Sequence, residues 1–254
     1  MIFNKLTQLS LICSALTIFG VKAMDSLSQD ELNTQLIDQI DDGNLVEVKK
    51  LVDSKADVNS TNEFGWTPLM TASLMGKDDI VDYLLKEKGD VNAQSARKDT
   101  ALIAAAKKNK LNIVDLLLSA SKDSIDELDG SNRSALMHAS SFGSPELVEK
   151  LIKSGSNVNI QDKDGNTPLM SAVSAGRFPI VKKLVELGAD IAIENNEGEM
   201  AIDLANSNDY SEIADYLEKT LKEQIKRKAA ISRALSENTN LPDVISDIII
   251  GYDI

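Results

Sequence analysis

The chain has 254 residues, of which 43% are hydrophobic, and a formal net charge of −13 at neutral pH. A surface of this sign repels phosphate backbones, because nucleic-acid affinity comes largely from Lys and Arg side chains that displace counterions, and we expect no nucleic-acid partner. The sequence has one cysteine, Cys13, and one histidine, His138. These counts exclude an internal disulfide and any multi-histidine or multi-cysteine metal site, so we expect no metal or cofactor.

Residues 1–23 have the layout of a secretory signal peptide. Lys5 supplies positive charge, Leu6–Phe19 is a mainly apolar run, and small residues end the segment. We predict cleavage after Ala23, with residues 24–28 as a short N-terminal segment of an exported (periplasmic or secreted) protein. The alternative is a retained anchor. The apolar run is, however, shorter than the ~20 residues that cross a bilayer, and we expect no stable membrane span after cleavage.

A period of about 33 residues runs through the body of the chain. The segment Trp66–Ala72 (WTPLMTA) returns as Asn166–Ala172 (NTPLMSA), and related segments stand between and after them. Apolar residues recur at the same place in each unit: Leu36, Leu69, Leu102, Leu136, Leu169 and Ile202. The period predicts six units, at 29–61, 62–94, 95–128, 129–161, 162–194 and 195–219.

Each unit has the signals of a helical hairpin. In the second unit, Thr67 suits a helix N-cap and Pro68 the first helical turn. Gly76 suits the left-handed end of that helix, and a second amphipathic helix is predicted over residues 78–86. A single unit cannot bury its apolar face alone, so the units must stack.

The period and the Thr-Pro-Leu-x-x-Ala core resemble the ankyrin repeat, whose signature is T-P-L-H-x-A. The resemblance covers residues 29–219 and implies an all-α repeat solenoid, a helix-turn-helix stack with extended turn tips. It further implies a monomeric protein-binding scaffold rather than an enzyme. The first unit, 29–61, lacks the Thr-Pro-Leu turn and is interpreted as an N-terminal cap.

The sequence departs from the ankyrin signature in two places. Residues other than His occupy the signature's His position, namely Met70, Ile103, Met137, Met170 and Asp203. Apolar packing should replace the hydrogen bonds of that His. His138 lies one residue after Met137, and we expect it to be a half-exposed helix residue without a function. The third unit lacks the usual loop, which makes residues 119–130 the expected soft point.

Ankyrin repeats bind partners through the turn tips and the concave face of the first helices. Carried onto this chain, the resemblance implies ten partner-binding residues: Phe64, Trp66, Leu74, Met75, Arg97, Lys107, Lys108, Arg133, Phe142 and Asn166. Leu74, Met75 and Phe142 would extend an apolar strip from the first two, although Trp66 could instead pack on the cap. The basic residues could meet an acidic peptide or be ordinary solvated charge.

Two segments follow the repeats. Residues 220–236 are basic with apolar residues at helical spacing, which indicates a capping helix or a helix that touches lipid. Residues 237–254 contain an apolar helix whose start, at residues 241–252, resembles the opening helix of an F-box. The sequence thus predicts an exported scaffold for an unidentified protein partner. The alternative is a host-directed effector that recruits a ubiquitin-ligase adaptor.

Overall fold

The computed structural model describes residues 27–236. The predicted signal peptide and the segment 237–254 lie outside the described residues. Within 27–236 the chain forms helices and turns with no β-strand. In chain order the helices are α1 (Gln29–Asp42), α2 (Leu45–Asp53), α3 (Pro68–Met75), α4 (Asp78–Lys86), α5 (Ala101–Lys107), α6 (Leu111–Ala120), α7 (Ala135–Phe142), α8 (Pro145–Lys153), α9 (Pro168–Ser174), α10 (Phe178–Glu186), α11 (Ala201–Ser207) and α12 (Ser211–Ser236).

The first helices of five of the six units begin at a hydroxyl cap, and that of the last unit begins at Met200. The Thr67 side chain accepts a hydrogen bond from the Met70 N–H at 3.3 Å, and Pro68 occupies the first turn. The helix ends at Gly76, whose φ of 78° lies in the left-handed region that glycine adopts without strain. The second helix of this unit spans Asp78–Lys86, so the prediction for both helices is confirmed.

The helices are arranged in two layers. The first helices of successive units (α1, α3, α5, α7, α9 and α11) pack side by side and form the inner layer. The second helices form the outer layer, and apolar residues between the layers make one continuous core. The repeating leucines from Leu36 to Leu169 are fully buried, whereas Ile202 in the last unit is only half-buried. No further repeat follows the last unit within the described residues, so one side of Ile202 has less to pack against.

The outer layer departs from the regular arrangement at two places, between α6 and α8 and at the C-terminal end. Helices α6 and α8 contact each other less than the other neighbouring outer helices do, and an ion pair between Lys150 and Asp115 joins them. The expectation of a soft point at residues 119–130, which begin in the last turn of α6, stays a prediction. At the C-terminal end, the second helix of the last unit and the basic segment 220–236 form one uninterrupted helix, α12.

The turn tips share one hydrogen-bonding scheme. In the second unit, the Asn62 side chain accepts hydrogen bonds from the backbone N–H groups of Phe64 and Trp66, both at 3.0 Å. Gly65 lies between them with φ of 72°, and a Cβ there would lie 2.8 Å from the backbone nitrogen of Ala96 in the next tip. Both the turn and the close approach of neighbouring tips therefore require glycine at this position.

The other tips repeat this arrangement with different side chains. The residues equivalent to Asn62 also accept backbone hydrogen bonds from positions two and four residues later; they are Ser95, Asp129, Asp162 and Asn195. Backbone hydrogen bonds also join tips to one another, as from the Gly130 N–H to the Arg97 oxygen at 2.8 Å. The tips thus form a rigid row along one edge of the inner layer.

Candidate protein-binding groove

A continuous groove runs between the row of tips and the inner helices. It consists of neighbouring depressions that share lining residues, so that one opens into the next. The shared residues, from the cap toward the fifth unit, are Ile37 and Asn62, then Phe64 and Trp66, then Ala96, Arg97 and Asp99, and then Ser131. The largest depression, between the fourth and fifth units, has a volume of about 560 Å³. We call this surface the inner groove.

The structure brings nearly all of the predicted binding residues together in the inner groove. Nine of the ten line it: Phe64, Trp66, Leu74, Met75, Arg97, Lys107, Arg133, Phe142 and Asn166. The exception is Lys108, which is exposed at the C-terminal end of α5 and is not a lining residue.

The part of the groove nearest the cap is apolar. Its lining includes Phe64, Trp66, Leu74 and Met75, which we call the apolar cup, and Ile37 of α1 closes it on the cap side. Phe64 is 62% exposed and Met75 45% exposed, whereas Trp66 is half-buried and packs against the core. Trp66 therefore does both things that its sequence position allowed: it supports the fold, and it forms a wall of the cup.

The middle of the groove is built from charged groups that bond to one another. Lys107 Nζ lies 2.5 Å from Asp99 Oδ1 and 3.9 Å from Asp129 Oδ2. The Oδ2 atom of Asp129 also lies 2.9 Å from His138 Nε2. We call these four residues the polar centre. They connect the third unit to the fourth through buried or partly buried contacts.

The expectation for His138 was wrong. The side chain is buried, with 5% exposure, rather than half-exposed. The reason is the tip turn that begins at Asp129: its carboxylate reaches back to the inner helix of its own unit and bonds the imidazole, so water is excluded from the ring. Nδ1 of His138 is also buried and has no hydrogen-bond partner in the described part of the chain.

Burial and hydrogen bonding move two pKa values in the polar centre. Burial lowers the pKa of His138 below its usual 6.5, and the nearby charges of Arg133 and Lys107 act in the same direction, while the bond to Asp129 opposes them. Burial alone would raise the pKa of Asp129. The hydrogen bonds from His138 and from the Arg133 and Ser131 N–H groups outweigh burial and lower that pKa below 3.8. Near neutral pH the arrangement is therefore a carboxylate bonded to a neutral imidazole.

Beyond the polar centre lies a depression of mixed character. Arg133 donates from Nη2 to Ser141 Oγ at 3.1 Å, and Phe142 and Asn166 line the same space. Phe142 is 62% exposed. The expected continuous apolar strip from Leu74 to Phe142 is wrong, because the polar centre and Arg97 lie between the apolar cup and Phe142.

Sequence reasoning missed the acidic members of the polar centre. Neither Asp99 nor Asp129 is among the ten binding residues that the resemblance implies. A signal was present in the repeat register: Asp129 occupies the position of Asn62, which holds the tip turn. A charged residue there, nine positions before the only histidine, marks the one turn that also contacts its inner helix through an imidazole.

The carboxylates of the polar centre bond to groups of the chain itself: to Lys107, to His138 and to backbone N–H groups. Within residues 27–236, no group of three or more His, Cys, Asp or Glu side chains is placed to hold a metal ion. In the same range no helix is both long and apolar enough to cross a membrane.

The comparisons with known proteins agree with this architecture. A family model described as ankyrin repeats (3 copies) matches residues 36–129 and 136–228, which together are well over half of the chain. The chain belongs to the ankyrin-repeat family, a class of helical solenoid whose members are typically binding scaffolds. The family model matches even though residues other than His occupy the signature's His position.

The solved structures that match include one that is similar over most of the chain. It is the predatory endopeptidase Bd0816 from Bdellovibrio bacteriovorus in complex with the immunity protein Bd3460. The match has a TM-score of 0.68 and 28% sequence identity, and it covers 72% of this chain and 96% of the chain it matches in that complex. A search of curated proteins finds no significant match.

Proposed function

We propose that this chain is an exported, non-enzymatic ankyrin-repeat scaffold that binds a protein partner along the inner groove. The observation that carries the proposal is the groove itself, which joins nine predicted binding residues on one face. It presents two aromatic side chains, Phe64 and Phe142, that are each 62% exposed. Exposed large apolar groups beside a polar rim are a feature of protein-interaction surfaces.

Export rests on the signal-peptide pattern of residues 1–23. The prediction is that the mature protein begins at Met24. N-terminal sequencing of the protein recovered from outside the cytoplasm tests this step separately from binding. Recovery of the uncleaved chain, residues 1–23 included, in the membrane fraction would favour the anchor alternative instead.

The similar solved structure favours a more specific candidate for the partner. One chain of a complex between an endopeptidase and an immunity protein resembles this chain over 96% of its length. This supports the hypothesis that the partner here is also an endopeptidase and that binding lowers its activity. The F-box alternative concerns residues 241–252, outside the described residues, and no observation in the described part of the chain favours it.

Affinity capture with the mature 24–254 form tests the binding proposal. Phe64→Ala should weaken capture of the partner at least about tenfold, which is ~1.4 kcal/mol, because it removes an exposed aromatic of the groove. The matched control is Val46→Ala, which truncates an apolar side chain that is 65% exposed on the outer helix α2.

The control variant should capture the partner as well as the unaltered protein does. Equal capture by all three proteins would show that the apolar cup is not the working surface. If an endopeptidase is among the captured proteins, its activity should fall on addition of the unaltered chain and fall less with Phe64→Ala.

A further inference from the structure

The charges along the inner groove are distributed unevenly. At the cap end the lining residues include Asp30, Asp38, Asp41 and Glu63. Burial, followed by the charges of Asp38 and Asp42, raises the pKa of Asp41. Residues 95–110, the first part of the third unit, have the opposite sign, with five basic side chains and a single acidic one in a chain of net charge −13. Of these basic residues, Arg97 and Lys107 line the groove.

The acidic groups of the polar centre are already bonded to groups of the chain itself. Asp99 bonds to Lys107, and Asp129 accepts hydrogen bonds from His138 and from two backbone N–H groups. The charge of Lys107 is balanced by its ion pair with Asp99. The two arginines beside the polar centre, Arg97 and Arg133, have no such ion pair within the described residues.

Arg97 and Arg133 lack acidic partners within the described residues. The Arg97 side chain is exposed at a tip, and no carboxylate of the described part lies within ion-pair distance of either guanidinium. Within the described residues, the guanidinium of Arg133 donates to the hydroxyl of Ser141, and its Nε atom is buried without a hydrogen-bond partner. A partly buried guanidinium with an unmet donor is costly, and a carboxylate satisfies its fork-shaped donor set best.

The apolar cup lies directly beside the first of these arginines. Phe64, Trp66 and Arg97 line one and the same depression, together with Glu63 and Asp99. Arg133 follows in the depression beyond the polar centre, which Lys163 and the carboxylates of Asp162 and Asp164 also line. A segment lying in the groove would therefore meet carboxylates of the cap, then the apolar cup, and then two arginines without acidic partners among the described residues.

We infer that the partner presents a segment with a large apolar side chain followed by acidic side chains, the apolar group in the cup and the carboxylates on Arg97 and Arg133. The acidic cap repels the acidic end of such a segment and fixes its orientation along the groove. This inference rests on the proposed function, because it specifies the chemistry of the partner at the same surface.

A pair of synthetic peptides tests the charge order directly. One fluorescein-labelled probe of about twelve residues carries two lysines, then Leu-Trp-Leu, then a block of acidic residues. The second probe has the same composition, with the charges alternating along its length. Fluorescence anisotropy should show that the block probe binds the 24–254 form at least about tenfold more tightly, and that added salt weakens it.

Charge reversal in the groove provides the matched variants. Arg97→Glu should reduce binding of the block probe at least about tenfold, and Arg133→Glu should act likewise if it stays folded. Arg97 is exposed, so its variant keeps the test valid even if the second one unfolds. Lys122→Glu makes the same change of net charge at an exposed residue that does not line the groove, and it should bind as the unaltered protein does.

The outcomes separate this inference from the proposed function. Equal affinity for the two probes, absence of binding by both, or normal binding by Arg97→Glu would each overturn the inference. If the natural partner is captured in a manner that depends on Phe64 but not on Arg97, the groove remains the binding surface and only the acidic chemistry of the partner is rejected.

Discussion

The apolar cup and the polar centre are neighbouring parts of one groove, and their side chains are held in opposite ways. In the cup, Phe64 and Met75 are largely exposed and make no hydrogen bonds through their side chains. In the polar centre, Asp129 and His138 are buried, and the bonds between them connect a tip to an inner helix. The exposed side chains of the cup are thus supported by the fold without being needed for it, whereas Trp66 and the polar centre are part of what holds the fold.

This difference separates two roles that the sequence places on the same face. Substitution of the exposed cup side chains, Phe64 and Met75, should cost little stability, because surface substitutions away from buried networks are usually neutral. Substitution in the polar centre should cost more, since a half-satisfied buried network is worse than none. The arginines beside it, Arg97 and Arg133, have no acidic partner within the described residues.

The largest expected effect on stability is at Asp129. Asp129→Ala removes the acceptor of two tip hydrogen bonds and leaves His138 Nε2 buried without its partner. The matched control is Asp162→Ala, since Asp162 holds the next tip with the same two backbone bonds, at 3.0 and 2.9 Å, but contacts no histidine. We expect Asp129→Ala to lower the free energy of unfolding by about 1–3 kcal/mol more than Asp162→Ala does.

Urea unfolding of the two variants measures this difference. Asp129→Asn should recover part of the loss, because its amide oxygen can still accept the backbone bonds of the turn. Equal losses for the two alanine variants would mean that the bond to His138 adds nothing, and that the polar centre is no more structural than an ordinary tip.

A smaller effect should appear in the pH dependence of stability. His138 is the only histidine, and its pKa is lowered in the folded protein. The unfolded chain therefore takes up this proton first as pH falls below 6.5, so stability decreases with acidification in that range. The pKa of Asp129 is also lowered, so a further loss follows as the pH falls through and below 3.8.

His138→Gln tests the first of these losses. Glutamine keeps a side-chain donor for Asp129 but does not titrate, so the urea midpoint of the variant should change less between about pH 7 and pH 5 than that of the unaltered protein. An identical pH dependence in the two proteins would show that His138 is not the group responsible.

The two regions also differ in how far the sequence could predict them. The 33-residue register identified the inner helices and the caps such as Thr67, because repetition makes every unit evidence for the others. The cup residues followed from the ankyrin resemblance, which implies binding at the turn tips and the concave face of the first helices. The pairing of Asp129 with His138 is a feature of one unit alone, so the register could not reveal it. The joining of separate depressions into one groove depends on how closely the tips stack.

The smallest expected effect is at the cup, and it completes the comparison. Phe64→Ala should change the free energy of unfolding by less than ~0.5 kcal/mol, because the side chain is mostly in water and the tip turn is held by Asn62 and by backbone bonds. The same variant is expected to lose partner binding, so stability and binding should separate at this residue. Urea unfolding beside Val46→Ala gives the reference for an exposed apolar truncation. A loss above ~1 kcal/mol would place Phe64 with Trp66 among the supports of the fold, and the contrast with the polar centre would then be one of degree.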